Sequence, residues 1–139
     1  MSAHLDTVQS IYAAFGRGDI AYVLGHLADD VDWRINVDPS LPGADRALFQ
    51  PRTRPADVAA FFQGLGEFLE MRGMDVRAMA TTVDGHGVIV LFSEHYVVRK
   101  TGAELHVDTA HHWTFDAHGK VSAWRGYTDT AAELRAALT

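Results

Sequence analysis

Cysteine is absent from this chain, which excludes disulfides and thiol catalysis. No run approaches the ~18 to 20 apolar residues of a membrane span. The opening Met-Ser-Ala-His-Leu-Asp lacks the basic-then-apolar pattern of a signal peptide. Clustered positive charge is missing too: 12 Lys and Arg stand against 18 Asp and Glu, a formal net charge of −6. Nucleic acid needs a basic stripe to displace counterions, so it is not an expected partner, and neither is a membrane. Together these absences point to the cytoplasm and to small molecules or other protein chains as partners. Proline is confined, all four residues lying between Pro39 and Pro55.

What is present is 139 residues, 47% of them hydrophobic, enough for one core and too few for two ordinary domains. A single domain over 1–139 is expected. Leu5, Val8, Ile11, Tyr12 and Phe15 recur at helical spacing and stop at Gly16-Arg-Gly18. Asp19 can cap a second helix whose stripe is Val23, Leu24 and Leu27, before Asp29-Asp30 opens a strand, Val31-Asp-Trp33-Arg-Ile35. Asn36 to Pro55 is the one long irregular segment, a length that in a compact domain is often a functional lid. Helical spacing returns from Ala56 to Arg72 through Val58, Phe61, Phe62, Leu65, Phe68 and Leu69.

The remainder reads as four strands, Met74 to Asp84, Val88 to Lys100, Glu104 to Asp116 and Lys120 to Asp129, separated by glycine-containing turns. In the third, Leu105, Val107, Thr109, His111, Trp113 and Phe115 alternate with polar neighbours, so one histidine falls on the apolar face. Thr130-Ala-Ala-Glu133 is a capping-box pattern for a final helix. Helices first and antiparallel strands later define an α+β fold, with helices packed on one face of a curved sheet.

Five stretches in order carry a resemblance: Tyr12-Ala-Ala-Phe-Gly-Arg-Gly-Asp19, Leu27-Ala-Asp-Asp-Val-Asp-Trp33, Val58-Ala-Ala-Phe-Phe62, Trp113-Thr-Phe-(x)3-Gly-Lys-Val121 and Trp124-Arg-(x)-Tyr-(x)-Asp129. They are similar to the SnoaL-like and ketosteroid-isomerase-related branch of the nuclear transport factor 2-like superfamily. The resemblance covers nearly the whole chain. It implies a cone-shaped α+β domain, a curved mainly antiparallel sheet and N-terminal helices around one apolar pocket, commonly a homodimer through the outer sheet face. It does not imply one chemistry, since isomerases, cyclases, hydrolases, dehydratases and non-enzymatic binders share the scaffold.

The family's best-defined catalytic patterns are not matched. By position, the ketosteroid isomerase phenol falls at Ile11, the carboxylate base at Ile35 and the protonated aspartate at His111. An alkyl side chain cannot move a proton. The buried carboxylate of limonene-epoxide-hydrolase-like enzymes aligns with Gly126, and their water-holding pair with Trp33 and Ile35. Their other aspartate lands at Glu94 and their arginine at Phe92. Polyketide cyclases likewise place their acid/base aspartate where Gly126 stands.

The face inferred to be interior carries a different set. Phe92, Glu94 and Tyr96 share one strand, His111 and Trp113 the next, Trp124 and Thr128 the last, while Trp33, Ile35 and Phe62 complete the ligand wall. His111 is the candidate base, Glu94 its orienting partner if the two meet, and Tyr96 a hydroxyl donor to a developing oxyanion. The same residues also fit a plain core role, a satisfied histidine among aromatics. His106, Asp108 and His112 share the opposite face, but about 20 Å of strand between the two histidines is too far for one ion. No metal site and no cofactor are expected. Arg52 and Arg54, at the end of the irregular segment, could meet an acidic substrate or be solvated. The expectation is acid/base chemistry of isomerase, cyclase, dehydratase or hydrolase type on a small apolar organic ligand, against a non-catalytic binding or dimeric assembly module.

Overall fold

The first helix packs because its apolar positions face one way. In α1, Ala3–Gly16, the buried stripe is Val8, Ile11 and Ala14, with Tyr12 and Leu5 beside it. It ends where Gly18 takes a positive φ of 74°, a conformation that costs a residue without Cβ little. Asp19 then caps α2, Ile20–Gly25, its carboxylate accepting from the Tyr22 amide at 3.1 Å. These elements come from the computed structural model of the chain, which describes residues 3–44 and 46–138, with side chains through Ala136.

Strand β1 runs Leu27–Ile35, followed by a short 3₁₀ turn at Ala47–Phe49 and helix α3, Pro55–Phe68. Strands β2, Leu69–Thr81, β3, Gly87–Val98, β4, Glu104–Phe115, and β5, Val121–Tyr127, follow, and α4, Thr130–Leu138, closes the order. The sheet order is β1-β5-β4-β3-β2. β1 lies parallel to β5 and the other three pairings are antiparallel, so the expected α+β class holds with a mixed, open sheet. No helix is long and apolar enough to cross a membrane among the described residues.

Four boundaries differ from the sequence reading. The third helix stops at Phe68 rather than Arg72, because Leu69, Glu70 and Met71 pair with Val98, Val97 and Tyr96 in the β2–β3 ladder. Its apolar periodicity ran on because Leu69 is buried in either geometry. Leu27 belongs to β1, opposite Val121, and exposed Asp29-Asp30 lie inside that strand at an irregularity in its register. The capping box at Thr130 is replaced by Asp129, whose carboxylate accepts from the Ala132 amide at 3.1 Å. Finally, the segment 36–55, of which Asp45 lies outside the described residues, is partly built in. Leu48 and Phe49 are buried, and Arg52 exchanges two backbone bonds with Trp33 at 2.8 and 2.9 Å.

Alternation sorts the sheet's two faces. Val88, Val90, Phe92, Tyr96 and Val98 of β3 point inward and are buried, while Ile89, Leu91, Ser93, His95 and Val97 point outward. The inner face, α1 and α3 enclose the main core.

Candidate active site

Register places three tryptophans side by side. Trp33 of β1 stands opposite Trp124 of β5, which stands opposite Trp113 of β4. The rings of Trp33 and Trp124 stack at 4.3 Å and 16°, and Trp113 presents itself edge-on to Trp33 at 5.8 Å. The next rung reads Ile35, Gly126, His111 and Val90. A Cβ at Gly126 would lie 2.8 Å from Cη2 of Trp124, so glycine there is what lets the indole fold over the strand. The space a side chain at 126 would take is thus filled by an indole ring. Between this wall and α1 and α3 lies a cavity of about 100 Å³, lined almost wholly by apolar groups.

His111 enters that cavity from β4 and is held from the other layer by α1. The Tyr12 hydroxyl and His111 Nδ1 are 2.5 Å apart, and Trp113 Nε1 donates to the same hydroxyl at 3.1 Å. Phe92 and Trp124 pack edge-on against the imidazole at 4.6 and 4.8 Å. Burial among these rings pushes the histidine pKa down to about 3 and raises that of the tyrosine, so both are neutral near pH 7. Nδ1 is engaged, and Nε2 has no hydrogen-bond partner among the described residues.

A second polar group lies farther along the cavity. Thr109 donates to Thr128 at 3.2 Å, and Thr128 to Glu133 Oε1 at 2.7 Å. The Glu94 carboxyl lies beside Thr109. Burial raises the pKa of both carboxyls, that of Glu133 to about 7. The hydroxyl of Tyr96, a residue only 1% exposed, is buried without a partner.

Glu94 and His111 both line the cavity without forming the pair drawn from sequence. Glu94 stands opposite Val107 and His111 opposite Val90, two rungs apart, about 13 Å along the strands. Tyr12 takes the orienting place instead. Tyr96, Trp33, Ile35, Phe62, Trp113, Trp124 and Thr128 also line the cavity; Phe92 lies beneath His111 in the core. Sequence reasoning missed Tyr12, read as one more apolar helix position, and Glu133, read as a cap. The signal for Tyr12 was present: a phenol next to Ile11, the position to which the isomerase phenol aligned. Arg52 and Arg54 are spent locally, Arg52 on the Ala47 carbonyl and Arg54 on Asp57. His106 and Asp108 remain on the outer face, where His106 stacks on His95 at 4.0 Å and Asp108 accepts from Ser93.

A small α+β fold with one aromatic-walled cavity and buried acid/base groups defines the class. The family model of the SnoaL-like domain matches residues 8–124, and the chain belongs to that family. An NTF2-like protein of unknown function from Burkholderia pseudomallei is similar at 26% identity and a TM-score of 0.84, each chain covered over 100%. TerC, crystallised with polyporic acid, is 23% identical over 99% of this chain and 100% of its own, with a TM-score of 0.78. A steroid delta-isomerase from Pseudomonas aeruginosa is 17% identical over 99% and 88%, with a TM-score of 0.69. The last two share the fold. No curated protein matches the sequence.

Proposed function

We propose that this SnoaL-like protein is an enzyme that moves a proton on a small, largely apolar organic substrate held against Trp33, Trp113 and Trp124. The observation that carries this reading is the Tyr12–His111 pair in the cavity wall. A neutral imidazole fixed through Nδ1 keeps its ring plane while Nε2 serves the substrate. Its low pKa reflects burial among apolar rings; negative charge developing on a bound substrate would offset that penalty as the imidazolium forms. Glu133, its carboxyl raised to about 7 by burial, supplies the opposite partner, an acid still partly protonated near neutral pH. Isomerisation, cyclisation, dehydration and hydrolysis all fit such a base and acid. That the fold holds a small organic molecule in TerC supports a substrate of this kind.

The rival reading, a non-catalytic binding or assembly module, draws on the indole of Trp124 over Gly126, where related enzymes carry their acid. Native mass spectrometry of protein taken directly from cells would identify the co-purifying ligand, and turnover of that ligand would then be assayed. We expect His111→Gln to lower kcat at least about 100-fold with affinity changed only a few-fold. Binding with no turnover in the native protein would establish the module instead.

The expected homodimer belongs to the same proposal. Ala78, Leu91, Ala110 and Tyr127 form one row across the outer face of β2, β3, β4 and β5, and Leu91 and Tyr127 are among the exposed large apolar residues. A symmetric partner would cover that row. Cytoplasmic residence, in keeping with the lack of cysteine, is tested by cell fractionation.

A further inference from the structure

The polar end of the cavity has a hydrogen-bond arithmetic of its own. Thr109 donates to Thr128 and Thr128 to Glu133, with the Glu94 carboxyl beside Thr109, and each threonine hydroxyl has a single proton to give. With those two bonds made both hydroxyl protons are spent, Thr109's on Thr128 and Thr128's on Glu133, so neither threonine has a donor left for an ionised Glu94.

Ionisation of Glu94 or Glu133 puts a negative charge at the cavity wall. None of the residues lining the cavity is lysine or arginine, and neither Glu94 nor Glu133 takes part in an ion pair among the described residues. His111 is held neutral at the other end. Beside the two carboxyls the Tyr96 hydroxyl is also buried without a partner, so the end is incompletely satisfied as it stands. A buried charge without a partner is costly, and a ligand that brings the countercharge removes the cost. Facing it are aromatic walls, which suit both a hydrophobic body and a cation.

Resting on the reading of this cavity as the substrate site, we propose that its Glu94/Glu133 end binds the ammonium group of a small amine whose apolar body lies along the tryptophan wall. The ammonium donates to the carboxylate, and Tyr96 offers its hydroxyl to the same end. A carboxylate ligand would be repelled, and a neutral alcohol would bind through its body alone.

The test is calorimetric titration with three probes of one shape, benzylamine, benzyl alcohol and benzoate. Benzylamine is expected to bind at least tenfold more tightly than benzyl alcohol, with benzoate weakest. Glu133→Gln and Glu94→Gln, each verified as folded by circular dichroism, should bring the amine-to-alcohol ratio below threefold. Equal affinity for amine and alcohol, tightest binding of benzoate, or no binding of any probe would overturn the proposal. So would an amine preference that survives both substitutions. His111→Gln should keep the preference, so a failure of the catalytic reading and a failure of this one give different results.

Discussion

Tyr12 and His111, 99 residues apart in the chain, share a hydrogen bond of 2.5 Å across the interface between α1 and β4. Trp113 Nε1 donates to the same phenol, so one oxygen ties two strand side chains to the helix. Tyr12→Phe removes that oxygen and leaves a ring nitrogen and an indole N–H buried without partners. Loss of about 2 kcal/mol in urea unfolding is expected. In turnover the expectation is a fall in kcat of about 100-fold with KM nearly unchanged, since the imidazole remains and only its orientation is lost. An unchanged kcat would mean that the bond is purely structural.

Two of the perturbed groups give opposite pH dependences of stability. His111 is depressed from 6.5 to about 3, so stability is present above the unfolded value and is lost as pH falls through that window. Glu133 is raised from 4.5 to about 7, so its contribution is full below 4.5 and is lost as pH rises toward 7. Between 4.5 and 6.5 the two slopes oppose one another. Each contribution is on the order of 3 to 5 kcal/mol. Denaturant midpoints against pH should show His111→Gln without part of the acid-side loss and Glu133→Gln without part of the loss toward neutrality. Profiles parallel to the native one would contradict the assignment.

Gly126→Ala places a methyl group where the indole of Trp124 now lies, 2.8 Å from its Cη2. The ring must rotate, and its stacking partner Trp33 loses the contact at 4.3 Å. Overpacking of this kind costs about 1 to 3 kcal/mol. The expected signature is a lower melting temperature together with a changed tryptophan fluorescence spectrum. A melting curve and spectrum like those of the native protein would show that the wall yields freely.

Trp33 touches Phe61, Phe62, Trp113 and Trp124, so its ring both lines the cavity and packs the core. Trp33→Ala should cost about 3 to 5 kcal/mol and weaken ligand binding at the same time. Trp33→Phe, which keeps a ring, separates the two effects: stability should recover more than affinity. Equal affinity in both variants and the native protein would place the ligand elsewhere.

Leu91→Lys puts a charge in the middle of the outer apolar row. By sedimentation equilibrium the native protein is expected to be a dimer at micromolar concentration and the variant a monomer with an unchanged fold. A native monomer would remove the dimer from the proposal.

Much of the architecture was legible from local pattern. The period-two alternation of 105–115 set which residues of β4 share a face, and His111, Trp113 and Thr109 do share the cavity side. Helix α1 was visible in the spacing of Leu5, Val8, Ile11 and Phe15, and the cap at Asp19 in its residue type. Boundaries were poorer where one residue suits two structures: Leu69 is buried as the end of a helical stripe or the start of a strand, and only pairing with Val98 decided it.

The sequence by itself determined faces: which side chains of each strand look inward, and that aromatic residues with a histidine and a glutamate dominate that side. Tertiary structure alone decided partners. The β3–β4 register set His111 two rungs from Glu94, and the packing of α1 brought Tyr12 to the imidazole in its place. Glu133 was drawn into the cavity by the docking of α4, where Thr128 rather than the helix terminus receives it. The physical reason is range: alternation is a property of neighbouring residues, whereas register and helix docking are settled by the burial of surfaces far apart in the chain.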